Sequence, residues 1–100
     1  MISPDTVTGF QWDQGNAQKS VDKHSVTQSE SEQVFFNEPL LIVDDARRTQ
    51  LEARFHALGI TSSGRRLHIA FTLREENTKI RVISARDMHR KERVRYEQET

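Results

Sequence analysis

Near the end of the sequence the chain reads Ile80-Arg81-Val82-Ile83-Ser84-Ala85-Arg86, and it continues without a glycine or proline through Asp87 to Glu97. The first run is rich in β-branched residues, which predicts a strand. The second run is basic with a narrow apolar stripe, which predicts a helix over Met88 to Glu97. A strand that carries arginines holds guanidinium groups at defined positions on a sheet, and such groups bind phosphate. The stretch therefore points toward nucleic acid.

The composition indicates one small domain in a reducing compartment. One hundred residues, 34% of them hydrophobic and 30% charged, can bury one core but not two. The absence of cysteine excludes a disulfide scaffold, a thiolate metal site and a cysteine nucleophile. The first residues lack a signal-peptide pattern, and no run approaches the ~18 apolar residues of a membrane span. We therefore expect a soluble, cytoplasmic protein without membrane contact.

The formal net charge of zero hides a difference between the two halves of the chain. Residues 1–53 carry four Lys and Arg against nine carboxylates, a net charge of −5, and residues 54–100 carry eleven against six, a net charge of +5. Partners respond to the local field rather than to the sum. The second half is the candidate phosphate-binding surface, and the alternative is a solvated face with internal ion pairs.

The first half predicts a short strand followed by two helices. Residues 1–9 are mostly polar and predict a flexible lead, so the domain is expected to span residues 10–100. The alternation of apolar and polar residues predicts a strand over residues 10–12, and Asp13 can cap a helix over about residues 14–24. Thr27 and Glu30 have the spacing of a capping box, which predicts a second helix over about residues 28–36.

The second half predicts most of a sheet. Alternating or β-branched apolar runs predict strands over residues 40–43, 54–60, 67–73 and 79–85. The resulting order predicts an α+β fold: a mostly antiparallel sheet of about four to five strands, two N-terminal helices and one C-terminal helix. We expect the helices to pack on one face of the sheet.

Several motifs of catalysis and cofactor binding are absent from the sequence. The four glycines are scattered, so no glycine-rich phosphate loop is present. The four histidines have neither i, i+4 spacing nor a carboxylate in a ligand pattern, and no nucleophile elbow occurs. We therefore expect neither a cofactor nor a metal.

Other polar residues have the chemistry of metal-free RNA cleavage. Lys23-His24 offers a protonatable imidazole beside an ammonium, although a helix end would also use both to satisfy its last carbonyls. Glu52 and Arg54 are two residues apart and project from one face of a strand. Arg81 reaches the same surface if its strand pairs appropriately. Such a face can transfer protons and stabilise the charge of a phosphorane, and the alternative is a surface ion pair of little consequence.

A second set of basic residues has a less specific pattern. Arg65 and Arg66 follow a glycine at a predicted turn, where planar guanidinium groups can hold phosphate. Arg86 ends the arginine-bearing strand, and Lys91 lies in the basic helix that follows. We name these four as candidate RNA-binding residues, and for the helix a solvated face is the alternative.

Eight short motifs occur in one order along residues 10–97: Phe10-x-Trp12-Asp13-x-Gly15-Asn16, Lys23-His24-x-Val26, Val34-Phe35-Phe36-x-x-Pro39, Glu52-x-Arg54 with Gly59, Gly64-Arg65-x-Leu67, Phe71-Thr72, Ile80 to Arg86, and Glu92-Arg93-x-x-Tyr96-Glu97. Together they closely resemble the BrnT family of toxins from bacterial type II toxin–antitoxin pairs. The sequence departs from the family pattern at Ser20, where asparagine is common, and at Ser25, where glycine or asparagine is usual.

The resemblance implies a RelE-like fold and an endoribonuclease that cuts RNA, blocks translation and arrests growth until a BrnA-type antitoxin binds it. It also implies that the antitoxin brings a ribbon-helix-helix segment, so that operator DNA is contacted only through the antitoxin. On this interpretation Arg54 and Arg81 stabilise the phosphorane, Lys23 or Glu52 is the base, and His24 is the acid or positions the substrate. The alternatives are a non-catalytic RNA- or partner-binding module, or an inactive partner that acts with the antitoxin as a co-repressor.

Overall fold

A five-stranded sheet organises the computed structural model, which describes residues 7–44 and 54–100. The strand order is β1-β5-β4-β3-β2, with β1 parallel to β5 and the other neighbours antiparallel. This confirms the α+β class and the mostly antiparallel sheet. In chain order the elements are β1 (Gly9–Phe10), α1 (Gln14–Ala17), α2 (Lys19–His24), α3 (Gln28–Phe36), β2 (Leu41–Asp44), β3 (Arg54–Ile60), β4 (Arg66–Arg74), β5 (Lys79–Asp87) and α4 (Arg90–Glu99).

The first predicted helix is interrupted in the structure. Asp13 caps it as expected, because its carboxylate accepts from the Gly15 N–H at 2.8 Å. The prediction of one continuous helix over residues 14–24 is wrong, since the chain turns at Gln18 and forms the two short helices α1 and α2. Helix α2 ends at His24, and its C-cap residue Ser25 adopts the left-handed conformation (φ 56°, ψ 36°), which glycine and asparagine adopt most easily.

Helices α1 and α2 lie along the edge of β5 and complete its hydrogen bonding. Strand β1 pairs only with Lys79 and Ile80, so the rest of this edge needs other partners. The buried Asn16 donates its amide N–H to the Val82 carbonyl at 3.0 Å, and the buried Ser20 hydroxyl accepts from the Ala85 N–H at 2.8 Å. Two side chains therefore replace an edge strand.

The main core lies between the sheet and α3, whose predicted Thr27–Glu30 capping box is confirmed. Val34 of α3 packs so closely on β3 that a Cβ placed on Gly59 would lie 2.6 Å from the Val34 Cγ1 atom. The rings of Phe55 and Phe71 stack beneath it with centroids 5.5 Å apart. The other buried members of this cluster are Val26, Ala57, Leu67, Ile69, Ile80, Val82 and Ala85.

Helix α4 packs on the opposite face of the sheet. Its Tyr96 forms a second buried cluster with Leu58 and Met88, and the Tyr96 hydroxyl donates to the Pro39 carbonyl at 2.6 Å. Leu58 alternates with the core residue Ala57 along β3, so it points to the other side. The prediction that all helices share one face is therefore wrong for α4.

A bulge in β5 determines which arginines share that second face. Val82 pairs with Phe71 and Ser84 pairs with Ala70, so Ile83 is an extra residue in the strand. Without it, side chains five residues apart would point to opposite sides. With it, both arginines of the opening run lie opposite the main core. We call this side the polar face, and its residues are Arg54, His56, His68, Thr72, Arg81 and Arg86.

Candidate functional site

One row of the polar face crosses three strands. Arg54 of β3 pairs with Thr72 of β4, which pairs with Arg81 of β5. With adjacent strands ~4.8 Å apart, the two arginine Cα atoms lie about 10 Å apart across the threonine. The register therefore brings Arg54 and Arg81 onto one surface, as the sequence analysis expected for suitable pairing.

The two guanidinium groups of this row have different surroundings. Arg54 is exposed, and the described part of the chain offers its guanidinium no ion pair or hydrogen bond. Arg81 donates to the Asp13 carboxylate at 2.8 and 3.2 Å and to the Gln11 side-chain oxygen at 3.1 Å. The hydrogen bond from Arg81 holds the pKa of the Asp13 carboxyl below its ordinary value. The site thus combines one held cation with one cation available to an anionic ligand.

Two buried polar atoms of the middle strand have no hydrogen-bond partner in the part of the chain that the structure describes. Thr72 is 3% exposed and His68 is 8% exposed. Among the described residues, the Thr72 Oγ1 and His68 Nδ1 atoms are the buried side-chain atoms that lack a hydrogen bond. Because such atoms destabilise a fold, their presence calls for an explanation, and functional sites are one place where they persist.

A histidine pair joins this row to α4. The His56 Nδ1 and His68 Nε2 atoms are 2.9 Å apart, and the Glu92 Oε2 atom lies 3.9 Å from His68 Nε2. The pair was not predicted from the sequence, because the histidine spacings considered there lie within a single element. The hairpin register was the available signal: His56 pairs with Ala70 and His68 with Leu58, so the two histidines are diagonal neighbours.

The neighbours of His68 keep its imidazole neutral near neutral pH. Burial lowers the pKa of His68 to about 4, and the positive charge of Arg86 contributes. Burial acts to raise the pKa of Glu92, but hydrogen bonds from Arg86 and from the His89 N–H outweigh it and lower that pKa to about 2. A neutral ring therefore lies beside an ionised pair.

His68 should make folding stability depend on pH. The unfolded histidine takes up a proton near its ordinary pKa of 6.5, whereas the folded one does so only near 4. Between these values the unfolded state binds more protons, so stability falls as the pH falls, by at most about 1.4 kcal/mol per pH unit. His68→Gln, which does not titrate, should flatten this fall in urea denaturation at pH 7, 5.5 and 4.5. Protonation of Glu92 lowers the folding stability only at lower pH, between its ordinary pKa of 4.5 and its folded-state pKa of about 2. Parallel profiles for the two proteins would contradict the prediction.

The candidate RNA-binding residues of the C-terminal half differ in their contacts with other side chains of the protein. Arg86 makes two hydrogen bonds to the Glu92 carboxylate, at 2.8 and 2.9 Å, and so fastens the first turn of α4 to the sheet. Arg66 pairs with Glu97 at 2.9 Å on the surface, and Lys91 is exposed on α4. Their contact with RNA stays a prediction.

Arg65 occupies a structural position. Its guanidinium donates to both Asp87 carboxylate oxygens, at 2.7 and 3.1 Å, and to Glu30 at 3.2 Å. It also donates to the His24 and Ser25 carbonyls, at 3.0 and 2.9 Å. One side chain thus joins the end of α2, the start of α3 and the end of β5. The geometry favours a clamp, and RNA contact by Arg65 stays a prediction.

Arg65→Ala should therefore destabilise the protein. Arg66→Ala should have a much smaller effect. Removing the clamp leaves two helix-end carbonyls and two carboxylates without their donor, and charge-assisted hydrogen bonds contribute about 1.5–3 kcal/mol. The surface pair of Arg66 with Glu97 contributes about 0–1 kcal/mol. Urea denaturation of both variants measures the difference, and equal losses would argue against the clamp.

The remaining predicted catalytic residues lie elsewhere. Lys23 and His24 are exposed at the end of α2, beside Asp87 at the far end of β5 from Arg81. Six residues of strand separate Asp87 from Arg81, or roughly 20 Å. The structure does not bring Lys23-His24 close to Arg81, because α2 runs along β5 toward its far end, and a catalytic role for the pair stays a prediction. Glu52 lies outside the described residues.

A second concave region lies on the other side of the sheet. This groove of about 470 Å³ runs between β1 and α3, where Phe36 is 76% exposed. Its lining is apolar apart from Thr8 and Glu32, and the Glu32 carboxylate accepts from the Trp12 indole N–H at 2.7 Å. In the described ranges no histidine, aspartate and glutamate side chains cluster in threes as metal ligands would. The polar face is therefore the candidate site.

Comparison with known proteins assigns the chain to a family. A search of curated proteins found no match. A family model described as ribonuclease toxin, BrnT, of type II toxin-antitoxin system matches residues 12–92, which include the whole polar face. Within residues 7–44 and 54–100 no helix has the length and apolar character that crossing a bilayer requires. The match confirms the resemblance that the eight motifs indicated, and the chain belongs to the BrnT family of ribonuclease toxins of type II toxin–antitoxin systems.

Proposed function

We propose that this protein is a metal-independent endoribonuclease that cleaves RNA by attack of a ribose 2′-hydroxyl on the adjacent phosphate. Membership of a ribonuclease toxin family supports RNA as the substrate. The row Arg54–Thr72–Arg81 carries the mechanistic part of the proposal, since it presents two guanidinium groups to one side of a rigid sheet. The products would be a 2′,3′-cyclic phosphate and a 5′-hydroxyl.

The two arginines would stabilise the charge that develops on the phosphorane. Fixed donors in a low-dielectric site act more strongly than solvent, because they need no reorganisation during the reaction. Asp13 and Gln11 hold the Arg81 guanidinium in place before RNA arrives. Arg54, which has no partner among the described residues, is available to close over the phosphate.

His56 is the best-placed described residue for proton transfer. It lies two residues after Arg54 on the same face of β3, or about 7 Å along the strand. Its Nδ1 atom lies against His68, which orients the ring. Glu52 remains the candidate from sequence for the second proton-transfer group. The distance from Arg81 makes Lys23 and His24 weaker candidates.

Cleavage in the presence of a chelator tests this mechanism. Purified protein free of antitoxin should cut RNA in EDTA and leave the two product ends given above. A 2′-deoxy substitution at a mapped cut site should block cleavage there. Cleavage that requires Mg²⁺, or that leaves 5′-phosphate ends, would contradict the proposal. Salt-sensitive RNA binding without products would favour the alternative of a non-catalytic binding module.

The family also supplies the cellular part of the proposal. Membership of a type II system implies an antitoxin partner. We expect a BrnA-type antitoxin with a ribbon-helix-helix segment. The segment would contact operator DNA, and the antitoxin would block the polar face. Without it the toxin would inhibit translation and arrest growth in the cytoplasm. Expression with and without the antitoxin should show arrest only in its absence, and an Arg54→Ala, Arg81→Ala double variant should grow in both cases.

A further inference from the structure

We infer that the Thr72 hydroxyl is a ligand for an RNA phosphate held between Arg54 and Arg81. The inference rests on the proposed function and adds a neutral hydrogen-bond donor to the two cations. Thr72 occupies the central strand, with Arg54 opposite it on one side and Arg81 on the other. A phosphate that engages both guanidinium groups would lie above the threonine.

The Thr72 hydroxyl is buried without a hydrogen-bond partner among the described residues, and this observation points to a ligand. Thr72 is 3% exposed, and its Oγ1 atom has no hydrogen bond to the residues that the structure describes. A strand position of this kind accommodates valine, which has the same shape and no unpaired polar atom. Threonine therefore destabilises the folded protein at this position, and a bound phosphate oxygen would supply the missing acceptor.

Movement of the flanking Arg54 side chain would open a path to the hydroxyl. Long arginine side chains cover neighbouring surface with their aliphatic stems and move their charged heads with little restraint when exposed. Arg54 is exposed and has no partner in the described residues, so its head can rise from the sheet. Helix α4 packs at the other end of the polar face, around Leu58 and His68, and its contacts there do not involve Thr72.

The inference predicts opposite effects of one substitution on RNA binding and on stability. Thr72→Val removes the hydroxyl and keeps the shape, so affinity for RNA should fall about tenfold, as expected for one hydrogen bond to a charged group. The thermal midpoint should stay the same or rise, because the substitution removes a buried hydroxyl that has no hydrogen-bond partner among the described residues. Thr72→Ser keeps the hydroxyl, so its affinity should stay within about threefold of the wild type.

Binding of a 2′-O-methyl RNA oligonucleotide, which cannot be cleaved, provides the measurement. The logarithm of the dissociation constant should rise with the logarithm of the salt concentration at the same slope for the wild type and Thr72→Val, because the substitution removes no cation. Equal affinities would overturn the inference. A shallower salt dependence for Thr72→Val would also overturn it, since that result would mean that an arginine had been displaced.

The same proteins separate this inference from the proposed function. Wild-type protein that binds the oligonucleotide but leaves unmodified RNA intact would refute endoribonuclease activity, and the affinity comparison would still decide the role of Thr72. Wild-type protein that cleaves RNA, with equal affinities for the two threonine forms, would refute the inference alone. A wild-type protein that binds no RNA would refute both.

Discussion

Arg81→Ala should lower kcat/KM for RNA cleavage by about 100- to 1000-fold, the loss typical of removing one preorganised donor from a developing negative charge. The fold should survive, because Arg81 lies near the sheet edge and its partner Asp13 is exposed to water. Arg81→Lys should recover only part of the activity, since an ammonium group cannot make the paired contacts of a guanidinium. Cleavage assays in EDTA, with circular dichroism to verify folding, measure the effect.

Two control variants distinguish the effect of losing the Arg81 guanidinium from the effects of losing its ion pair or any surface arginine. Asp13→Asn breaks the charge pair with Arg81 and keeps a side-chain oxygen for capping α1, so activity should change by only a few-fold. Arg95→Ala removes an exposed arginine that pairs with Glu99 on α4, and it should leave cleavage unchanged. If Asp13→Asn matched the loss in Arg81→Ala, the ion pair rather than the phosphate contact would explain the result.

Gly59→Ala should destabilise the protein by about 3 kcal/mol, at the upper end for overpacking in a core. The added Cβ would lie 2.6 Å from the Val34 Cγ1 atom and 3.3 Å from the Val34 carbonyl oxygen, so α3 must move away from β3. The helix also packs over the main core, and its displacement would expose apolar surface. Urea denaturation, monitored by tryptophan fluorescence and circular dichroism, gives the free energy of unfolding.

A double-mutant cycle identifies the contact responsible. Val34→Ala removes the colliding methyl group, so its combination with Gly59→Ala should be more stable than the two single losses predict, by at least about 1 kcal/mol. Gly64→Ala is the matched comparison, because its Cβ meets no atom within 4 Å but its φ of 92° strains any side chain. Val34→Ala should add to Gly64→Ala without coupling. A purely additive result for Gly59→Ala would contradict the packing argument.

The features that could be predicted from the sequence are those that short-range interactions produce. Asp13, Thr27 and Glu30 were identified as capping residues because a cap is formed within four residues of chain. The strands were identified because alternation repeats within one element. The common surface of Arg54 and Arg81 needed one further condition, the pairing of β3, β4 and β5, and the register satisfies it.

The parts that could not be predicted involve contacts between distant segments. No local pattern indicates that Ile83 is a bulge, yet the bulge places Arg86 on the same face as Arg81. The side of the sheet that α4 covers depends on packing of Tyr96 against Leu58, 38 positions earlier in the chain. Contacts between distant segments also produce the histidine pair and the separation of Lys23-His24 from Arg81.

The family and the α+β class could be read from the sequence alone, and the arginines proposed to bind phosphate were named there, because motif order and local periodicity are properties of the chain. Which of these groups lie close together became clear only from the folded structure. It shows Arg65 and Arg86 in ion pairs, and it places Thr72 between Arg54 and Arg81 with a buried hydroxyl that has no hydrogen-bond partner in residues 7–44 and 54–100. The physical reason is that side-chain partners are selected by strand register and burial, which arise only when distant segments pack together.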